Sequence, residues 1–309
     1  MKKIFLSIIA LCAFTAASIA ETIEKKEHFS SFSSIEIHDS FEATVQPGTS
    51  YEVVLNVDKR VSDYCRMYVQ GATLIIELDE KSYPKELKNQ LRKKDSALLI
   101  LVANISMPIT AGLQSIKLTD KAILASVTDF NLPQQLEIIT DGTSKVKSFD
   151  VKAPKVTISS AKKSSVQANA NASEVNVNAK QNANVSLTVN SSKVNVSTEN
   201  SAIVNLDGTT SSAEFKTAGS SELNVKAKIN NVNITGKNNS HIDAHSAEIA
   251  NVDLELTSSS CEINPREALR ITLNSNAKLI FGGSPIIDIQ KIANSSVTRS
   301  ADVKDNNRR

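Results

Sequence analysis

The chain of 309 residues is long enough for one extended domain or two ordinary ones. Aromatic residues make up only 4% and Trp is absent, which argues against a thick core built on large rings. Lys and Arg (35) nearly balance Asp and Glu (33), so the charge favours neither nucleic acid nor an anionic membrane as a partner.

Residues 1–20 have the features of a secretory signal peptide. Two lysines precede an apolar run from Ile4 to Ala17, and Ser18-Ile19-Ala20 has the small-x-small pattern of a cleavage site. The apolar run is too short to favour a membrane span, and lipid attachment at Cys12 is a weaker alternative. We therefore predict an exported protein, located in the periplasm, on the outer-membrane surface or outside the cell, and not an integral membrane protein.

Residues 29–78 alternate between apolar and polar side chains, for example from Tyr51 to Val57, and turns at Gly48 and Gly71 separate the runs. This pattern predicts strands with one buried face. Residues 79–96 interrupt it with a lysine-rich segment. There, the i, i+4 spacing of two leucines is compatible with one or two helical turns. We interpret this segment as a solvated surface insertion, with a functional basic loop as the alternative.

A regular repeat follows. Apolar-x-apolar triplets recur every 19 residues and begin at Val166, Val185, Val204, Leu223, Ile242 and Cys261. A second series, about half a period later and with one step of 20, has triplets that begin at Val175, Val194, Ala213, Val232, Val252 and Ile271. A fixed period near 20 residues is typical of a repeat architecture, and it is too short for a helix-containing unit of ~34 residues.

These patterns predict an all-β protein, namely a parallel β-helix, or solenoid, with coils of about 19–20 residues and an irregular N-terminal β region. We expect right-handed winding from the general handedness of strand crossovers. The prediction is a single domain over residues 29–290, with the solenoid over 98–290 and a flexible tail over 296–309. The N-terminal strands and the segment around Pro285 are expected to cap the coil ends.

Alternation places the middle residue of each triplet on the outer surface. The first series then presents Gln167, Ser186, Asn205, Asn224, Asp243 and Glu262. The second series presents Asn176, Asn195, Glu214, Asn233, Asp253 and Thr272. Stacked asparagines can form side-chain ladders along such a rod. The residues predicted to face a ligand are the asparagines of both series, Asn176, Asn195, Asn233, Asn205 and Asn224.

His241, Asp243 and His245 share one outward face, near the glutamates Glu222 and Glu262 on neighbouring coils. Strand residues four apart are separated by about 13 Å, whereas a zinc–imidazole bond measures ~2.1 Å. The two histidines therefore cannot bind one metal on a straight strand. His241 and Asp243 with one of the glutamates remain a minor metal candidate beside the simpler interpretation, a solvated polar face.

The remaining residues give no sign of catalysis, and we predict neither an enzyme nor a bound cofactor. The outward acids are scattered singly, and the chain has no Ser/His/Asp elbow, phosphate loop or CxxC pattern. Cys65 and Cys261 are far apart in sequence and do not form a disulfide framework. Because Cys261 takes a triplet position held elsewhere by Val or Leu, a buried and inert thiol is expected there.

The order of several motifs resembles the bacterial family called putative auto-transporter adhesin, head GIN domain (DUF2807). The matching motifs are Phe32-x-x-Ile35-x-Ile37, Phe41-x-x-x-Val45, Gln46-x-Gly48, Tyr51-x-Val53, Val57-Asp58, Val69-x-Gly71, Leu74-Ile75-Ile76, Met107-Pro108, Ser115-Ile116-Lys117-Leu118 and the run from Ala277 to Pro285. The resemblance spans about residues 29–287 and implies an exported β-helix of the envelope with no catalytic residues. Unlike the family pattern, this chain has Asn and Ser in place of many turn glycines.

The leading hypothesis for function is an exported envelope or surface scaffold that binds an unidentified glycan or protein, as an adhesin does. Two alternatives stay open. One is a carbohydrate-active enzyme, a lyase or hydrolase, on a β-helix. The other is a structural periplasmic protein that assembles through its coil ends, which would make it a homo-oligomer.

Overall fold

The computed structural model of the chain describes residues 21–93, 98–108 and 112–300. The predicted signal peptide (residues 1–20) and residues 301–309 of the predicted tail lie outside these ranges.

Strands dominate the described residues. The strands that precede the regular coils are β1 (Thr22–Phe29), β2 (Ser34–Ile37), β3 (Glu42–Gly48), β4 (Tyr51–Asp58), β5 (Cys65–Gln70), β6 (Thr73–Leu78), β7 (Leu101–Pro108), β8 (Ser115–Leu118), β9 (Ile123–Ser126), β10 (Phe130–Asn131) and β11 (Leu136–Thr140). The later strands are β12 (Lys145–Ser160), β13 (Ser165–Lys180), β14 (Asn184–Glu199), β15 (Ile203–Ala218), β16 (Glu222–Val225), β17 (Lys228–Lys237), β18 (His241–Thr257), β19 (Ser260–Asn274), β20 (Lys278–Phe281), β21 (Ile286–Ala293) and β22 (Ser296–Arg299). The helical segments are α1 (Lys85–Leu91) and two 3-10 turns, Ser62–Tyr64 and Glu80–Ser82.

The strands stack in parallel into two long faces. The first face runs from β3 and β9 through the N-terminal halves of β12 to β15, then β16, the N-terminal parts of β18 and β19, and finally β20 and β22. The second face runs from β2, β8 and β11 through the C-terminal halves of β12 to β15, then β17, the C-terminal parts of β18 and β19, and finally β21.

Alternation along each strand fills the interior. Val166, Val185 and Val204 lie in register on the first face and expose 2% or less of their surface. Val175 and Val194 do the same on the second face. Each buried side chain of this size contributes about 1.5–3 kcal/mol relative to an exposed one. The prediction of an all-β parallel solenoid with coils of about 19 residues is confirmed; the right-handed winding stays a prediction.

The solenoid begins earlier and ends later than its predicted limits. β2 pairs in parallel with β8, and β3 with β9, so residues 34–48 already belong to the coils that we expected to start at residue 98. The 19-residue period does not predict this pairing, because Ile35 lies opposite Ile116, several periods further along the chain. At the other end, Ser296–Arg299 of the predicted flexible tail form β22, which pairs with β20.

The last step of the second triplet series was predicted two residues too far along the chain. Asp253 lies opposite Arg270 and not opposite Thr272. The cause is a change of register along the β18–β19 pair, in which Ile242 lies opposite Cys261 but Val252 lies opposite Leu269. The coil is therefore shorter at its second face than at its first.

One corner of the coils is a turn in the left-handed region of backbone conformation. φ is 54° at Asn200, 58° at Ser220 and 54° at Asn238. Asn is the residue that best tolerates this region after Gly, which explains how the chain closes its turns with few glycines. Below the corner, buried hydroxyls bond between coils: Thr198 Oγ1 and Ser221 Oγ are 2.9 Å apart.

The N-terminal end of the rod is covered. Its first face continues from β3 through β7 and β4 to β1, and its second face from β2 through β6 to β5, with antiparallel pairing in the outer strands. Val57, Val61 and Tyr83 of this region are buried. Four of the eight residues of β1, the outermost strand of the first face, are charged, and charge protects a sheet edge from pairing with other chains. This region is therefore the cap expected from the sequence.

The charged insertion packs against that cap. It contains α1, as the leucine spacing indicated, and Leu87 and Leu91 are partly buried against the core. Residues 94–97 of the insertion are outside the described ranges. None of the helices described is long and apolar enough to cross a membrane.

The C-terminal end is different. β21 and β22 are the last strands of the two faces, and Ile286 and Ile289 of β21 are exposed. Among the described residues, the segment after Pro285 adds a strand to the rod and does not cover it. The cap expected there is absent from this part of the chain.

Candidate binding face

A shallow groove follows the middle of the first face. Its floor is formed by Gln167, Ser186, Asn205 and Asn224, which the 19-residue register of β13 to β16 places in one row. The groove has a volume of about 300 Å³. Successive coils are about 4.8 Å apart, so the row presents one polar side chain per coil along the rod axis.

The two asparagines of this row are held in fixed orientations. Asn224 Nδ2 donates to Asn205 Oδ1 at 3.0 Å and to Glu222 Oε1 at 2.8 Å. Asn205 Nδ2 donates in turn to Ser186 Oγ at 3.3 Å. Amide donors are thus used within the ladder, whereas Gln167 makes no side-chain hydrogen bond within the described residues. Its amide is available to a ligand.

A second row of polar residues forms the wall of the groove, at the position directly after each apolar-x-apolar triplet. This row consists of Asn169, Thr188, Asp207 and Lys226. Asp207 Oδ1 accepts from the backbone of Gly208, and Lys226 has no ion pair within the described part of the chain. The sequence reasoning missed this wall, although its 19-residue spacing is the same signal that revealed the floor.

The second face has its own ladder, beside a groove of about 510 Å³. Asn195 Nδ2 donates to Asn176 Oδ1 at 2.7 Å, and Asn176 Nδ2 donates to Glu174 Oε1 at 2.9 Å. The hydrogen bond from Asn176 is the main reason why the pKa of Glu174 is below its ordinary value.

The second-face ladder stops after two asparagines. Glu214 occupies the next coil and binds Lys216 Nζ at 2.6 Å. An ionised carboxylate has no proton to donate, which explains why Asn195 Oδ1 has no partner among the described residues. Asn233 lies beyond Glu214 and is exposed. The three asparagines of this series therefore do not form one continuous ladder.

The minor metal candidates are separated by the register. Glu222 and His241 lie side by side in one row, and Asp243 and Glu262 in another. His241 Nδ1 lies 2.8 Å from Ser260 Oγ. Within the ranges that the structure describes, no three His, Cys, Asp or Glu side chains are placed to hold a metal ion.

Cys65 and Cys261 are both buried free thiols. Cys261 is fully buried at its triplet position, as the sequence indicated. Burial raises the pKa of the Cys65 thiol to about 12 and also raises that of Cys261. Neither thiol is ionised near neutral pH, so neither is suited to nucleophilic chemistry.

Comparison with known proteins agrees with the family resemblance. The family described as "Putative auto-transporter adhesin, head GIN domain" matches residues 31–285. A comparison with curated proteins gives no match.

Several solved structures are similar along nearly their whole length. A putative adhesin from Parabacteroides distasonis is 12% identical, and the alignment covers 91% of this chain and 98% of that one with a TM-score of 0.51. A putative adhesin from Parabacteroides merdae is 16% identical over 91% and 96% of the two chains, with a TM-score of 0.44. A putative lipid binding protein from Parabacteroides distasonis is 13% identical over 90% and 96%, with a TM-score of 0.49. At these identities, only the first comparison supports a conclusion, and that conclusion is a shared fold.

Proposed function

The chain belongs to the putative auto-transporter adhesin, head GIN domain family, and from this premise we propose that it is an exported binding scaffold of the cell envelope. In this proposal, the first-face groove holds an extended ligand along the rod axis, as part of an adhesive surface. The observation that carries the proposal is the continuous polar row on the groove floor, with one neutral side chain in each of four successive coils.

The chemistry of the groove favours a neutral, hydroxyl-rich glycan. Amide and hydroxyl side chains donate to and accept from sugar hydroxyls, and the floor carries no charge. Asp207 and Lys226 on the wall add one acceptor and one donor. Aromatic side chains are absent from the groove lining, so ring stacking does not contribute and each contact is weak. We therefore expect binding to depend on several coils acting together.

We propose that the groove binds without chemistry. Acid–base cleavage of a glycosidic bond needs two carboxyl groups at a defined separation, whereas Asp207 is the single acid that lines this groove. The buried thiols and the dispersed metal candidates do not alter this. If purified protein shortened a glycan that it binds, the enzyme alternative would replace the scaffold.

The test is binding of residues 21–309 to an array of glycans and matrix proteins. The groove variant Gln167→Ala/Asn205→Ala removes two floor amides. Its matched control, Asn178→Ala/Asn195→Ala, removes two amides that line the second-face groove. Since each lost hydrogen bond costs about 0.5–1.5 kcal/mol, we expect the groove variant to weaken glycan binding about tenfold or more, and the control to bind like the wild type.

Three outcomes would contradict the proposal. If both variants bound glycan equally weakly, the first face would not be the binding site. If the protein bound only proteins on the array, its ligand would not be a glycan. No binding at all, together with retention in the cytoplasm after cell fractionation, would remove the exported scaffold itself.

A further inference from the structure

Exposed apolar side chains concentrate on one strand at the C-terminal end of the rod. Ile286, Ile287, Ile289 and Ile292 of β21 expose 79%, 44%, 56% and 42% of their surface. They are four of the seven exposed large hydrophobic residues in the described ranges. An apolar patch of this kind on a protein surface marks an interaction site more often than chance.

The register explains why apolar residues occupy these positions of β21. Ile287 lies opposite Leu269, Ile289 opposite Ile271 and Ile292 opposite Leu273. All three partners on β19 are fully buried. The isoleucines thus occupy the core-facing positions of a coil, but no described residue packs against their outer side.

β21 also has a free backbone edge. It pairs with β19 on one side, and the described residues supply no partner on the other. Free edges pair readily with another strand unless charge, proline or a covering segment prevents it. β1, at the other end of the rod, is such a protected edge, since Glu24, Lys25, Lys26 and Glu27 follow one another along it. β1 ends the first face, however, whereas β21 ends the second face, whose other end is β5. A filament that joined β21 to β5 would give masses above that of a dimer in the measurement below.

The sequence of β21 is complementary to itself. A register irregularity between Ile289 and Lys291 places Ile292 on the same side as Ile289, and Asp288 and Lys291 together on the opposite side. If two copies of β21 lie antiparallel about a point between Ile289 and Gln290, each Ile287 faces an Ile292 of the other copy. Each Asp288 then faces a Lys291. Apolar and opposite-charge pairs both stabilise a sheet when they lie directly across from each other.

We propose that β21 is the interface of a symmetric dimer, in which two chains join at their C-terminal ends by antiparallel pairing of this strand. Such an interface uses the same patch on both subunits and closes after two copies. The two first-face grooves then belong to one particle with two ligand sites. The proposal stands on the end of the rod alone and does not depend on what the groove binds.

The first test is the mass of residues 21–309 by analytical ultracentrifugation over a range of concentrations. We expect a monomer–dimer equilibrium for the wild type and a monomer for Ile287→Lys/Ile292→Lys. Circular dichroism and thermal unfolding check that this variant folds. Because both isoleucines are exposed, we expect the variant to unfold like the isolated wild-type subunit. A wild type that is monomeric at every concentration overturns the proposal, as does a folded variant that still dimerises.

The second test checks the proposed pairing of Asp288 with Lys291 between the two copies of β21. Asp288→Lys places lysine opposite lysine, and Lys291→Asp places aspartate opposite aspartate, so each variant alone should dimerise about tenfold more weakly. Mixed together, the two variants restore both opposite-charge pairs, and a heterodimer should form with near wild-type affinity. Loss of Asp288 also removes its contact with Arg270 at 3.3 Å, but that contact lies within one subunit and cannot produce rescue on mixing. Failure of the mixture to pair overturns the register.

A third measurement addresses the competing occupant, residues 301–309. Removal of these residues should leave the wild-type equilibrium unchanged. If the truncated chain dimerises and the full chain does not, the tail covers β21 and the dimer is not the native state.

Discussion

The two ends of the rod differ in whether the last coil is covered. At the N-terminal end, both faces finish in antiparallel strands, and the first face ends in a strand with four consecutive charged residues. At the C-terminal end, β21 repeats the core-facing pattern of the coils before it, yet its isoleucines remain exposed. A repeat creates a new apolar end with every coil that it adds, so only a departure from the repeat can close the rod. The N-terminal sequence departs from it, and β21 does not.

The difference has an energetic consequence. In a solenoid, stability is approximately the sum of each coil and its contacts with its two neighbours. An inner coil has two neighbours, whereas β21 has one among the described residues. We therefore expect equivalent substitutions to cost much more at the capped end than at the open end.

The largest predicted contrast comes from apolar truncation. Phe41, in the connection between β2 and β3 at the capped end, is fully buried. Phe41→Ala should lower the free energy of unfolding by about 3–5 kcal/mol, because it leaves a cavity that the packed coils cannot fill. Ile289→Ala at the open end should cost less than about 1 kcal/mol, since the side chain is mostly in solvent. Urea unfolding at a concentration where the protein is monomeric measures both values, and equal costs would contradict the contrast.

An intermediate contrast comes from ion pairs. At the capped end, Arg60 Nε donates to Asp58 Oδ1 at 2.9 Å, and the Asp58 side chain is only 1% exposed. Arg60→Met leaves that carboxylate without its charged partner and should cost about 1.5–3 kcal/mol. At the open end, Arg270 contacts Asp253 and Asp288 on the surface. Arg270→Met should therefore cost about 0–1 kcal/mol. Chemical unfolding of both variants tests the difference, and a larger cost for Arg270→Met would reverse it.

The smallest predicted effect is a dependence on pH. The hydrogen bonds from Arg60 hold the pKa of Asp58 below its ordinary value. A lowered pKa means that the folded state binds this proton less readily than the unfolded state. The resulting stability is present above the unfolded pKa of about 3.9 and is lost as pH falls through the folded-state value. The stability difference between wild type and Asp58→Asn should therefore shrink between pH 6 and pH 3.

A surface variant provides the control for the pH experiment. Asp253→Asn removes an exposed partner of Arg270 and should change the free energy of unfolding by less than about 1 kcal/mol at neutral pH. A difference between wild type and Asp58→Asn that stays constant with pH would show that the Asp58 carboxylate is not a source of acid-sensitive stability.

Much of the architecture could be predicted because the apolar positions of the coils recur at a fixed spacing in the sequence. The 19-residue spacing from Val166 to Cys261 identified the coils, and alternation identified which side chains face inward. Period alone could not locate the first coils, since β2 pairs with a strand that begins at Ser115, after the whole cap. It also failed between Asp253 and Arg270, where the register changes within one coil.

The candidate binding face was predictable only in part, for a similar reason. The floor residues Asn205 and Asn224 follow from alternation. Which amide groups stay available depends on contacts between coils, such as Glu222 accepting from Asn224. The break in the second-face ladder arises because Glu214 stands beside Asn195, and both residues read simply as polar in a sequence pattern.

Hydrogen exchange along the whole chain tests the contrast between the two ends most directly. The Ile287→Lys/Ile292→Lys variant is the suitable sample, because any dimer contact is removed. We predict that the backbone amides of β21 and β22 exchange first, and that those of β4, β7 and the central β13 to β15 exchange last, close to the limit set by global unfolding. Equal protection of β21 and β13, or earlier exchange in β4 and β7 than in β21, would contradict a rod that is closed at its N-terminal end and open at its C-terminal end.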